Sequence, residues 1–478
     1  MRVRVICLAV TLSLSFLPAY SATPPKAGSA CSKQGIARTY QGKKFTCIKS
    51  GKKLVWNKGV IVKIPTPIPS LTPSPTPIAS SIPTFTPNST PNITPEPTPV
   101  QPAFTLTDLS KYQGAKSCQI SSTLSTSEHL GFPRPPGVVP SIGNVRAITL
   151  FVYFDDLPFE QKQIEEWKNN QIPTFERFAK SMSYGKLNFV VDTFDKALHI
   201  NKSVLSYNLD TAHGAPQKPN ADVLGLIKDA ISVADPIVDF SPYSFVNVVT
   251  ASTNKIGFEG AYGGSTSIAS ADGVQFKRAT FGPIREYVDD PLKKIWLLHE
   301  VGHLWGLIHP FNVDGNSWGR AGYPKFSAMA SGISRAPDFL AWERFVLNWF
   351  SDNQVACISI PTESEFTIKL TDISSNSSGF KMLAIKLSNN EAVVLESRKQ
   401  SDDSWINKEE EGIFAYIIDA NIGGNVGAAN VIYKESKPAS GWFPSTLAKG
   451  DTARFRKYTF EILESDSSGE IVKIKINE

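Results

Sequence analysis

Acidic residues are missing from the first 95 positions of this 478-residue chain, which carry twelve lysines and arginines. A segment of one sign cannot neutralise itself, so it disfavours cationic partners and suits polyanions, or it is simply a solvated basic face. An anionic cell-wall polymer is the expected partner, with no specific nucleic acid. Long apolar runs are scarce as well. Beyond Leu17 none approaches the roughly 18 residues of a membrane helix, which argues against a transmembrane segment. Histidine is scarce too, with six in the whole chain.

What is present falls into segments. Residues 1–21 place Arg2 and Arg4 before an apolar run from Val5 to Leu17, then Ala19 and Ser21, the pattern of a cleaved export signal. Residues 22–63 form a small basic disulfide module, and 64–103 a Pro/Thr/Ser-rich linker whose proline spacing favours extended polyproline II. Asn88 and Asn92 lie there in N-x-S/T sequons. A lead-in segment covers 104–144, inhibitory or structural. The main domain is expected over 145–354 and a β-rich domain over 355–478. Export removes Cys7 and leaves Cys31, Cys47, Cys118 and Cys357 in a compartment that permits disulfides. Pairing of Cys31 with Cys47 and of Cys118 with Cys357 is expected; the rival is a Cys118 thiolate facing a metal.

In the main domain, Ala147 to Phe154 and SYGKLNFVVDTF read as strands on either side of a helix from Phe159 to about Ser181. Ala221 to Ala234 reads as a further helix and Ser244 to Ala251 as a third strand. This alternation predicts an α/β or α+β fold with helices against a twisted mixed sheet. Gly257 to Gly273 reads as a loop and Val274 to Phe281 as an edge strand above a cleft. Short strands over Phe366–Leu370, Met382–Leu387, Ala392–Glu396, Gly412–Ile418, Thr459–Leu463 and Glu470–Ile476 predict a β-sandwich-like tail.

The segment IWLLHEVGHLWGLIH, Ile295 to His309, carries the chemistry. Asp290-Pro291 offers a helix start. His299 and His303 then share one helical face, and Gly306 in a left-handed conformation ends the helix so that His309 approaches from a third direction. Three nitrogens with a vacant fourth position predict a catalytic zinc, with Glu300 as the base that takes a proton from water. Coincidence at these offsets is on the order of one in a million by composition. His129, His199 and His213 are isolated and read as surface or core residues.

These residues resemble the metzincin clan, whose signature is H-E-x-x-H-x-x-G-x-x-H followed by a methionine turn. The resemblance implies a metzincin-like zinc peptidase fold with an active-site helix, and it identifies Met329 in SAMASG as the turn methionine. The position where several such families carry a tyrosine is Ser331, which argues against a tyrosine role there, with Tyr323 a speculative substitute. SYGKL, VDFSPYSFVNVV, AWERFVLNW and VVLESR followed by GIFAYIID are similar to the immune inhibitor A type of secreted bacterial metallopeptidases, over roughly Arg146 to Ile418. In that family the third ligand is commonly acidic, where this chain has His309. Secreted relatives often carry structural calcium; Asn312, Asp314 and Asn316 resemble part of a calcium loop but lack its closing glutamate, so a polar turn is the better reading. The expectation is therefore a secreted zinc endopeptidase acting on proteins or peptides. The alternative is a wall- or surface-binding protein with a vestigial peptidase fold.

Overall fold

The computed structural model describes residues 27–30, 34, 37–40, 43–51, 53–58, 60–61, 104–108, 114–209, 221–251, 262–270, 272–284, 296–311, 326–330, 338–359, 361, 363–401, 406–435 and 445–477. The chain divides into two compact units, Met1–Thr98 and Pro99–Glu478. In the first, β2 (Lys43–Ser50) pairs antiparallel with β1 (Ala37–Tyr40), β3 (Lys53–Trp56) and β4 (Val60–Ile61). Phe45 and Cys47, two apart and so on one face of β2, are buried with Trp56. The export signal, the linker and Cys31 lie outside the described residues, and with Cys31 so does the expected Cys31–Cys47 pairing.

The second unit is a mixed α+β structure with several sheets and few helices. Its first sheet has the order β6-β5-β8-β10-β9, with β7 beside β5. Its strands are β5 (Gly143–Tyr153), β6 (Leu187–Thr193), β7 (Leu198–His199), β8 (Phe245–Thr250), β9 (Tyr262–Ala269) and β10 (Gln275–Pro283). All neighbours are parallel except β9, which runs antiparallel to β10. Helices cover both faces, so β8 is buried along its full length and reads as a continuous apolar run. Asn247 in its interior is satisfied across the sheet: it donates to Thr149 Oγ1 (3.1 Å) and accepts from Thr280 Oγ1 (2.8 Å).

Between β5 and β6 the chain forms α1 (Gln161–Glu166) and α2 (Ile172–Met182), separated by a π-helical turn over Trp167–Gln171. The single helix expected there is interrupted just before Pro173, which has no N–H to continue the ladder. The helix α3 (Val223–Ala234) begins at Asp222, whose carboxylate accepts from Gly225 N (2.7 Å). It packs on one face of the sheet, with Leu226, Ile227 and Ile231 among Leu150, Val152 and Val248. The opposite face is shared by α2 and by α4 (Trp296–Leu304), with Phe175, Phe178, Leu298 and Val301 in one core with Phe151 and Phe245.

Two sequence expectations are corrected. Residues 262–269, read as loop, form β9, because Gly263, Gly264 and three serines or threonines dilute the apolar signal of a strand that alternates intermediate or buried with exposed positions. The strand expected at the edge, β10, is consequently internal, and β9 is the edge. The expected helix start at Asp290-Pro291 lies outside the described residues.

Beyond α5 (Ala341–Val346) come β11 (Val355–Ile358), β12 (Glu365–Thr371), β13 (Met382–Lys386), β14 (Glu391–Arg398), β15 (Gly412–Asp419), β16 (Ala429–Val431), β17 (Thr446–Leu447), β18 (Thr452–Phe455), β19 (Tyr458–Asp466) and β20 (Gly469–Ile476). They form a six-stranded sheet, β11-β13-β14-β15-β16 with β17 on β15, and a four-stranded sheet, β12-β20-β19-β18. Leu383, Val393, Leu395 and Ile413 of the first share a core with Ile368, Phe460, Val472 and Ile474 of the second. The other face of the larger sheet belongs to the core of α4 and α5, through Ala384, Val394, Phe414 and Tyr416. Cys118 and Cys357 form a disulfide that ties the lead-in segment to β11. Cys118 is therefore not a thiolate available to a metal.

Candidate metal centre

The segment from Trp296 to His309 folds as its residue order dictates. Gly306 takes φ +87°, its N–H donates to His303 O (2.9 Å), and the Leu307 N–H donates to Gly302 O (3.0 Å). This pair of bonds closes α4 with a Schellman motif and turns the chain back, which brings His309 beside His303 and His299. The lead-in segment wraps this helix end. Val139 N donates to Leu304 O (3.0 Å), and His129 N to Gly306 O (3.0 Å). Buried Arg278 of β10 donates to His303 O (3.0 Å) and to Ser127 O (2.7 Å). The C-terminal carbonyls that a helix leaves orphaned are thus paired with distant chain.

The three imidazoles converge through their Nε2 atoms. His309 Nε2 lies 3.1 Å from His299 Nε2 and 3.2 Å from His303 Nε2. Each Nδ1 points outward to an oxygen acceptor: Ala328 O for His299 (2.6 Å), Leu307 O (3.0 Å) and Glu128 Oε2 (3.2 Å) for His303, and Asn425 Oδ1 for His309 (2.7 Å). With Nδ1 as donor, each Nε2 presents a lone pair to the same point. Burial drives His299 well below its ordinary pKa and His309 to about 4, with neighbouring imidazoles adding to both shifts. For His303 burial, the largest single influence, lowers the pKa, and the Glu128 carboxylate and its neighbours outweigh it to give a net rise.

This arrangement passes the test for a divalent cation. Tetrahedral nitrogen ligands at about 2.0 to 2.1 Å from a zinc ion lie about 3.3 to 3.4 Å apart, close to the separations found. Three lone pairs aimed at one another repel unless a cation lies between them, and this trio is the one set of histidine, cysteine and carboxylate side chains among the described residues grouped closely enough to hold one. No protein fourth ligand joins it there.

Glu300 follows the first histidine and is buried, 6% exposed. Burial pushes its pKa up to about 7; the His303 charge pulls it down and Glu128 pushes it up. Gly263 of β9 packs against the Glu300 backbone so closely that a Cβ there would lie 2.3 Å from the Glu300 carbonyl oxygen. Met329 is fully buried beneath the helix, and a Cβ on Gly302 would lie 2.2 Å from its sulfur. The loop carrying Met329 is anchored from below. Ser327 Oγ bonds both carboxylate oxygens of Glu343 (3.0 and 2.8 Å), and Arg398 donates to the carbonyls of Phe326 (3.1 Å) and Phe339 (3.0 Å).

The structure thus brings His299, His303, His309, Glu300 and Met329 together. Ser331, Tyr323, Asn312, Asp314, Asn316 and His213 lie outside the described residues. His129 is buried and accepts from Gly131 N (3.1 Å), and His199 pairs with Asp155 (2.8 Å); neither joins the site. Glu128 and Asn425 are the side chains that sequence reasoning missed. They lie 175 and 116 residues from the histidines they contact, and no local pattern marks either. No protein-family model and no curated protein matches the chain.

Proposed function

We propose that this protein is an exported zinc-dependent endopeptidase with a metzincin-like catalytic fold. The observation that carries the reading is the convergence of three Nε2 atoms at 3.1 and 3.2 Å, each with its Nδ1 committed to an oxygen acceptor. His299, His303 and His309 would hold the zinc, which when bound would supply a Lewis acid for the water and the peptide carbonyl.

Glu300 is one residue from the first ligand, and its carboxylate makes no ion pair within 4 Å among the described residues. It accepts the proton of the attacking water and returns it to the departing amine. Met329 supports the helix from beneath, and the Ala328 carbonyl orients His299. The edge strand β9 lies against α4, and its outer side has no strand partner among the described residues, which suits an extended peptide substrate. The Cys118–Cys357 disulfide supports an oxidising compartment, in keeping with the export pattern of residues 1–21.

Glu300→Gln, purified beside the wild type and assayed on casein with and without a chelator, tests the assignment. The variant keeps its zinc and loses casein cleavage, and chelation silences the wild type. Undiminished cleavage by the variant refutes Glu300 as the base, and chelator-insensitive cleavage refutes the metal.

A further inference from the structure

The third histidine lies beyond the end of α4, where the helix no longer fixes its orientation. Its ring is held instead by the loop between β15 and β16. Asn425 Oδ1 accepts from His309 Nδ1 (2.7 Å), and the Asn425 N–H donates to His309 O (3.0 Å). Asn425 has φ +64°, a left-handed conformation that glycine, asparagine and aspartate adopt most readily. The loop is fixed at both ends. Ala429 N donates to Pro310 O (2.6 Å), Ser122 Oγ to Ala420 O (2.6 Å), and Thr123 N to Asn421 Oδ1 (2.8 Å). A Cβ on Gly424 would meet Ile308 Cβ at 3.4 Å, so the loop backbone lies directly on the turn that carries His309.

We infer that Asn425 is a positioning residue for the metal: it holds His309 in the tautomer whose Nε2 is free to bind a cation, which makes the C-terminal β region part of the metal centre. The inference rests on the zinc reading above. His299 and His303 receive backbone carbonyls, Ala328 O and Leu307 O, that any sequence would supply. Among the described residues, His309 alone depends on a side chain, Asn425, for its Nδ1 acceptor. Without that acceptor the proton can move to Nε2 and block the ligand, and the ring is free to rotate. The Asn425 residue is exposed, so water can partly replace it, and the effect belongs at the lower end of the range for orienting partners of metal ligands.

Two full-length variants test this by zinc affinity, measured in competition with a chromogenic chelator, with thermal unfolding of the metal-free chains as a control on folding. Asn425→Gly keeps the left-handed backbone and the N–H to His309 O but removes the acceptor; it weakens zinc binding about tenfold while the metal-free melting temperature stays near that of the wild type. Asn425→Asp restores the acceptor and returns affinity to the wild-type value or above. Equal affinity of the Gly variant and the wild type overturns the role of Asn425 while leaving the zinc site standing, as does an Asp variant that binds no better than Gly. A wild-type chain that takes up no zinc overturns both readings.

Discussion

The floor beneath the Met329 loop and the triad above it are both buried and polar, yet they treat charge in opposite ways. In the floor, Arg344 and Arg398 are 1% and 3% exposed. They remain charged because Asp338 pairs with both and Glu396 pairs with Arg398. Glu343 is pushed up to about 8 by burial, so at neutral pH it adds little negative charge to the two guanidiniums and their paired acids. In the triad, burial and mutual repulsion hold His299 and His309 neutral. The floor draws its counter-charges from within the protein, and of its guanidinium nitrogens Arg344 Nε alone lacks a partner among the described residues. The triad is incomplete by construction, with every outward nitrogen satisfied and every inward one left with a lone pair. A structural polar cluster closes on itself, whereas a metal site leaves one partner to be supplied.

Breaking the floor has the largest expected effect on stability. Arg398→Met leaves Glu396 without its cation and Asp338 with Arg344 alone, and frees the carbonyls of Phe326 and Phe339. It costs about 3 to 5 kcal/mol in urea unfolding; a loss under about 1 kcal/mol would show that the floor does not hold the loop. Gly302→Ala probes the contact between the two regions. Its new methyl has no room against the Met329 sulfur, so a loss of about 1 to 3 kcal/mol is expected, and Gly302→Ala combined with Met329→Ala should recover part of it.

The balance inside the floor can be tested by pH. A folded-state pKa near 8 for Glu343, above the ordinary carboxylate value, means that the folded chain keeps a proton the unfolded chain has lost. That contribution to stability is fully present below about pH 4.5 and declines as pH rises towards 8. The Glu343→Gln curve should lack this decline, so the difference between the two stability–pH curves should change steadily from about pH 4.5 to 8; parallel curves would mean that Glu343 titrates alike in the folded and unfolded chain. The smallest effect is expected at the surface, where Arg456 bonds both oxygens of Glu391 (2.7 Å each) with its side chain 54% exposed. Arg456→Ala should cost no more than about 1 kcal/mol, which sets the scale against which the floor is judged.

The triad was legible because its spacing is local: a helix period places His299 and His303, and one glycine turns His309 towards them. The apolar strands β5, β6 and β8 were legible for the same reason. Strand β9 was not, since glycine and serine carry no burial pattern and its place at the edge is decided by pairing with β10. Asn425, Glu128 and the floor were beyond sequence reading. An exposed asparagine in a polar loop looks like any turn residue, and Arg398 in VVLESR gives no sign that it reaches back to Phe326 and Asp338. Local periodicity writes the candidate metal ligands; the side chains that aim His303 and His309, Glu128 and Asn425, reach them across more than a hundred residues.

Elemental analysis of the purified full-length chain tests the central claim most directly. The account predicts one equivalent of zinc per chain, lost when His303 is replaced by alanine. A folded wild-type chain with no bound transition metal, in a buffer supplied with zinc, would contradict it.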